Sequence, residues 1–132
     1  MKVLALDYGS ARTGVAVSDP TGTLARPVGI VERAGSDAGL ARIAELVRDH
    51  DAERVVVGMP LTLAGAHGEQ AAETEAFVMR LRDTLDVPVE SFDERFTTDL
   101  AERGGDSPHP VDARAAAHLL STYLTWSSSA SR

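Results

Sequence analysis

Residues 2–7 read Lys2-Val3-Leu4-Ala5-Leu6-Asp7, an apolar run that closes on a carboxylate. A strand covered on both faces needs no polar alternation, so this is the form of a buried central strand that delivers one charge to an open sheet edge. Gly9 and Gly14 bracket a tight connection, and Val15-Ala16-Val17-Ser18 returns as a second strand. Asp19-Pro20-Thr21-Gly22 follows as a turn, with residue types that preset or tolerate turn dihedrals. Residues 24–32 carry Val28, Ile30 and Val31 and form a third strand. Pro27 cannot donate to a ladder, so that strand lies at a sheet edge or starts late. The opening is a β-meander.

The apolar period then changes. Ser36 or Asp37 caps a helix with Leu40, Ile43, Ala44 and Val47 on one stripe. Arg54-Val55-Val56-Val57-Gly58-Met59 is a short β-branched strand stopped by Pro60, and residues 61–68 form a loop. Ala71, Thr74, Val78, Leu81 and Leu85, with Phe77 beside them, mark a second helix. Val89 to Phe92 is a fifth strand running into Asp93-Glu94-Arg95. Thr97 or Thr98 caps a short helix ending at Gly104-Gly105, and a last helix runs from near Pro110 to about Trp126. The order βββαβαβαα predicts an α/β protein. Its mixed five-stranded sheet has three antiparallel strands, then parallel crossovers, with helices on its faces. Residues 1–126 make one domain, and the Ser-rich residues 127–132 a frayed tail.

Composition narrows the chemistry. With no cysteine among 132 residues, disulfide scaffolds, thiolate metal sites and cysteine nucleophiles are excluded. No apolar run reaches membrane-helix length and no signal-peptide pattern opens the chain, so a cytoplasmic protein without membrane attachment is expected. Thirteen basic against 20 acidic residues give a net charge of −7, with Lys2 the one lysine. That balance lacks the basic footprint of most nucleic-acid binders.

Three carboxylates stand at the ends of elements. Asp7 ends the first strand, Asp93 and Glu94 end the fifth, and Asp112 lies in the first turn of the last helix. If strands one and five are parallel, Asp7 and Glu94 leave the sheet at the same edge, where open α/β sheets bind ligands. The small residues Ala113, Ala115, Ala116 and Ala117 allow a helix to approach closely enough for Asp112 to join them. Converging carboxylates repel one another unless a cation intervenes. Oxygen ligands suit Mg²⁺ or Mn²⁺, and a pair of such ions about 3.5–4 Å apart would activate a water against a phosphodiester. Each acid also has a plainer reading, as a turn residue, a surface ion-pair partner or, for Asp112, an anion at a helix N-terminus.

Four motifs then converge on one family. Asp7-Tyr8-Gly9-Ser10-Ala11-Arg12-Thr13-Gly14 through Asp19, Val56-Val57-Gly58-Met59-Pro60-Leu61, Asp93-Glu94-Arg95-Phe96-Thr97-Thr98, and Val111-Asp112-Ala113 with Leu119-Leu120 and Tyr123-Leu124 occur in order along the chain. Together they resemble the YqgF, or RuvX, family of pre-16S rRNA nucleases, also described as Holliday-junction-resolvase-like. The resemblance implies an RNase H-like fold. It also implies a metal-dependent nuclease that processes the 5′ end of pre-16S rRNA in ribosome biogenesis. Asp7, Glu94 and Asp112 would be the catalytic metal ligands, and Asp93 a helper. Branched or single-stranded DNA is the alternative substrate, and symmetric cutting of a four-way junction would need a homodimer. A non-catalytic ribosome-assembly factor and half of an actin-like nucleotide site are the competing readings.

Neighbouring side chains could serve the same site. Arg12 and Arg95 could grip phosphates or act as counter-ions, and Arg114 is better read as a counter-ion because it points away from Asp112 on a helix. Thr97 and Thr98 could bond a phosphate, although capping is the simpler reading. Tyr8 and Phe96 could stack on bases but more often fill a core. Gly58 and the loop from Gly65 to Gly68 could bring backbone N–H groups to a phosphate. His67 and His109 read as loop surface, and His118 as half-buried on the last helix.

Overall fold

A computed structural model of the chain describes residues 1–59, 69–93 and 113–130. Its elements are β1 (Val3–Asp7), β2 (Arg12–Ser18), β3 (Ala25–Glu32), α1 (Asp37–Asp49), β4 (Arg54–Met59), α2 (Glu69–Thr84), β5 (Val89–Asp93) and α3 (Ala113–Ala130). The sheet order is β3-β2-β1-β4-β5. β1 pairs antiparallel with β2, and β2 antiparallel with β3, while β1, β4 and β5 are parallel. Pro27 sits in β3 at the sheet edge, as its missing N–H requires.

Alternation along the strands divides the core into two layers. Leu4, Leu6, Val15, Val55, Val57 and Val89 face α1 and α2, where Ile43, Phe77 and Leu81 meet them. Val3, Ala5, Ala16, Val56 and Phe92 face α3, under Ala116, Leu119, Leu120 and Tyr123. The central strands are buried on both faces, which is why their sequences are continuously apolar. Each buried Leu or Val contributes roughly 1.5–3 kcal/mol relative to exposure.

Local chemistry sets the element ends. Ser36 caps α1, its Oγ accepting from the Gly39 N–H at 3.0 Å. Gly39 permits the close approach that follows, since a Cβ there would lie 2.2 Å from the Arg33 carbonyl oxygen. Leu46 is buried on α1 while Ala44, which the 3.6-residue stripe favoured, is only half-buried. β2 begins at Arg12, three residues before the predicted Val15, because Thr13 is already buried in the sheet. α3 runs to Ala130, past the predicted end near Trp126. Serine is a tolerable helix former, and neither Gly nor Pro stands there to stop the turn. The short helix predicted after Thr97 or Thr98 lies outside the described residues. No described helix is long and apolar enough to cross a membrane.

Candidate active site

The carboxyl ends of β1, β4 and β5 open on one sheet edge because the three strands are parallel. Val3 and Ala5 face α3, so alternation puts Asp7, two residues on, on that same face. Asp7 is directly opposite Gly14 of β2. On its other side, one step beyond the Leu6–Val57 pair, comes Gly58 of β4, which is paired with Phe92 of β5. Gly14 and Gly58 share parity with Ala16 and Val56, the residues of their strands that face α3. A row therefore crosses the sheet on the α3 side as Gly14, Asp7, Gly58, Phe92. The residue directly opposite Asp7 on each neighbouring strand is thus a glycine.

The chain after Asp7 is fixed from the opposite face. The Tyr8 ring stacks on Phe77 with centroids 4.5 Å apart and planes at 26°, and it packs against the α1–α2 core. Burial pushes its hydroxyl pKa up, and Glu73 adds to the effect while Arg80 opposes it. Tyr8 is thus a core anchor in this structure. Buried Thr13 closes the turn: its Oγ1 accepts from the Gly9 N–H and donates to the Gly9 carbonyl, both at 3.4 Å. The Ala11 carbonyl accepts from the Arg33 N–H at 3.0 Å, tying the same turn to the end of β3. Arg12 begins β2 in an exposed position opposite Glu32.

Of the predicted site residues, the structure places Asp7 and Arg12 together at this turn, and Asp93 as the last residue of β5 on the same sheet edge. Glu94, Arg95, Thr97, Thr98 and Asp112 lie outside the described residues, as do Phe96, His67 and His109. Among the described residues, no three Asp, Glu or His side chains come together to hold a metal ion. Arg114 is exposed on α3 and lines a groove shared with the β2–β3 turn. His118 is half-buried, as expected.

Two features escaped the sequence reading. The glycine row around Asp7 had a signal, since Gly inside a strand often marks close approach by a ligand or backbone. Pairing Gly14 and Gly58 with Asp7, however, requires the strand register. The second feature lies on the α3 face at β4 and β5. There the Tyr123 hydroxyl donates to Glu90, and Arg54 Nη1 donates to the Glu90 carboxylate and the Tyr123 oxygen, both at 3.1 Å. Nothing in sequence links residues 54, 90 and 123.

A family model described as RuvX, Holliday junction resolvase, matches residues 1–126. A Chloroflexus aggregans protein named "Putative pre-16S rRNA nuclease" is 41% identical over 130 residues, covering 92% of this chain and 92% of that protein. An Anaeromyxobacter dehalogenans protein of the same name is 42% identical over 132 residues, covering 94% of this chain and 96% of its own. Among solved structures, Thermus thermophilus RuvC in complex with Holliday junction substrate superposes with a TM-score of 0.65 at 18% identity. That match covers 98% of this chain and 96% of the RuvC chain. At that identity the likeness shows the fold, which is RuvC-like and of the RNase H type.

Proposed function

The chain belongs to the RuvX family, and from that membership we propose that it is a divalent-metal-dependent nuclease that hydrolyses phosphodiester bonds of pre-16S rRNA. The observation that carries this reading is the row Gly14–Asp7–Gly58–Phe92. It holds one carboxylate between two glycines at the kind of sheet edge where open α/β sheets bind ligands. Its family membership supplies the reaction class.

Asp7 offers hard oxygen donors, and the residues opposite it on both neighbouring strands are glycines without side chains. This donor chemistry fits Mg²⁺ or Mn²⁺. We assign the second carboxylate to Glu94, as the resemblance of Asp93-Glu94-Arg95-Phe96-Thr97-Thr98 to the family's motif implies. Asp93 takes a helper role. Asp112, which immediately precedes α3 in sequence, is assigned the third. When two such ions are bound, they supply charge neutralisation and Lewis-acid polarisation at the scissile phosphate. The chain itself holds the Asp7 carboxylate on a buried strand and fixes the following turn through Tyr8 and Thr13. Arg12 presents its guanidinium at that turn, where bidentate bonding to a phosphate suits it. Arg95, Thr97 and Thr98 are assigned to substrate contact beside Glu94.

Cleavage of branched DNA is the second reading, favoured by the description of the matching family and by the RuvC-like fold. A substrate panel tests both: precursor rRNA fragment, single-stranded RNA, duplex and four-way junction, with Mg²⁺ and with Mn²⁺. Cleavage of the rRNA fragment is expected, and Asp7→Asn is expected to lose at least about 100-fold in rate. Preferential cleavage of the junction would move the assignment to DNA. Undiminished cleavage by Asp7→Asn would overturn the site.

A further inference from the structure

We propose that the groove between the β2–β3 turn and α3 is the track for the sugar–phosphate backbone of the nucleic-acid strand leading away from Asp7. The inference rests on the nuclease reading and adds where the substrate strand lies. The groove has a volume of about 370 Å³ and is walled by residues of segment 23–27 on one side and by α3 on the other. Arg114, His118 and Ser121 line it from α3, three residues spaced to form one helical stripe. No described lining residue is acidic, in a chain with 20 carboxylate side chains and a net charge of −7. A second groove has a different character. It lies between the ends of α1 and α2, holds about 340 Å³, and sets Arg48 beside Asp51 and Asp86.

Charge and position select the occupant. A groove that collects a guanidinium, an imidazole and hydroxyls, with no acid among its described lining residues, suits a polyanion. The one carboxylate of the β2–β3 turn, Asp19, is occupied by the Thr21 hydroxyl and by the backbone N–H groups of Thr23 and Leu24. The groove opens on the α3 side of the sheet, the side of Asp7. Pro27, on its wall, pairs with Ala16, and Ala16 with Ala5, two residues before Asp7. Two strand spacings and two residue rises put Pro27 about 12 Å from Asp7, a span of a few nucleotides. Leu24 is 68% exposed at the rim, an apolar side chain available to a sugar or base face.

The test is equilibrium binding by fluorescence anisotropy on the full chain without divalent metal. The probes are labelled single-stranded RNA, single-stranded DNA of the same sequence, and duplex DNA, across a salt series. Arg114→Ala/His118→Ala is expected to bind each probe roughly tenfold more weakly. Its log–log salt slope should be shallower by about 0.7–0.9 for each phosphate that the variant no longer neutralises. Leu24→Glu adds a carboxylate at an exposed position that packs into no core, and it should weaken binding in the same way. Wild-type affinity and slope in both variants would overturn the proposal. Cleavage measured in parallel separates the two readings. Binding that depends on the groove without any cleavage sustains the track and defeats the nuclease. Cleavage with full binding by the variants does the reverse, and a wild-type chain that binds no probe defeats the track.

Discussion

A carboxylate at the end of a strand buried on both faces is destabilising unless its charge is answered. At Asp7 the residues directly opposite on the two neighbouring strands, Gly14 and Gly58, bring no side chain to the carboxylate. Glycine within a strand weakens it by forgoing packing and by its unfolded-state entropy, so an alanine at such a position should favour the strand itself. Gly58→Ala puts a Cβ beside the Asp7 carboxylate. It is expected to lower nuclease activity more than tenfold and to weaken Mn²⁺ binding by calorimetry, with a small shift in melting temperature. Wild-type activity in Gly58→Ala would remove the glycine row from the site. Here the sequence was legible for Asp7 and silent for its neighbours, since residues 7, 14 and 58 meet only through strand register.

Two elements hold the α3 face in place, and each makes a prediction. The β2–β3 turn is built on Asp19, whose carboxylate accepts from Thr23 N–H at 2.7 Å and Leu24 N–H at 2.9 Å as well as from the Thr21 hydroxyl. The Thr21 hydroxyl first, then the two N–H groups, lower its pKa from 3.8 to about 2. A depressed folded value means the unfolded chain takes up the proton first. The stabilisation is therefore whole above about pH 4 and is lost as pH falls toward 2. Asp19→Asn should flatten the fall of the urea midpoint across that window, and a slope equal to wild type would remove Asp19 as its cause. At the other side of the sheet, the Tyr123 hydroxyl joins α3 to β4 and β5 through Arg54 and Glu90. The Arg54 and Glu90 side chains are 35% and 40% exposed, so solvent screening limits the pair. Tyr123→Phe is expected to cost about 1 kcal/mol in denaturant unfolding. A loss well beyond that would mean the hydroxyl organises more than this cluster. The meander, the edge strand and the amphipathic stripes could be read from turn residues and periodicity alone. The pairing of Tyr123 with residues 54 and 90 could not, because it depends on where α3 crosses the sheet.

Across the whole molecule the sheet is shared by two helical layers, and each layer buries one alternate set of strand residues. Leu120 is fully buried between α3 and the face that carries Asp7. Leu120→Ala is expected to cost about 2–5 kcal/mol through lost burial and the cavity left behind. Its unfolding should remain a single transition, because the same strands serve both layers. Two separated transitions by circular dichroism would show α3 to be an independent unit. The net charge of −7 describes the chain and not its surfaces. Among the described residues, the groove beside α3 has no acid, while the groove between α1 and α2 has two.

The sequence by itself determined the order of the described elements, the mixed sheet and the carboxylate at the end of β1. These follow from local propensity and from the two periodicities that distinguish strand from helix. The family, too, was legible there, in four short motifs and their order. Only the tertiary structure decided which face of the sheet Asp7 occupies. It alone showed that glycines flank Asp7, that Tyr8 stacks on Phe77, and that Arg114 and His118 share a groove with the β2–β3 turn. Each of these depends on strand register or on the crossing of a helix over the sheet. Both are set by contacts between residues far apart in the chain, which no local pattern encodes.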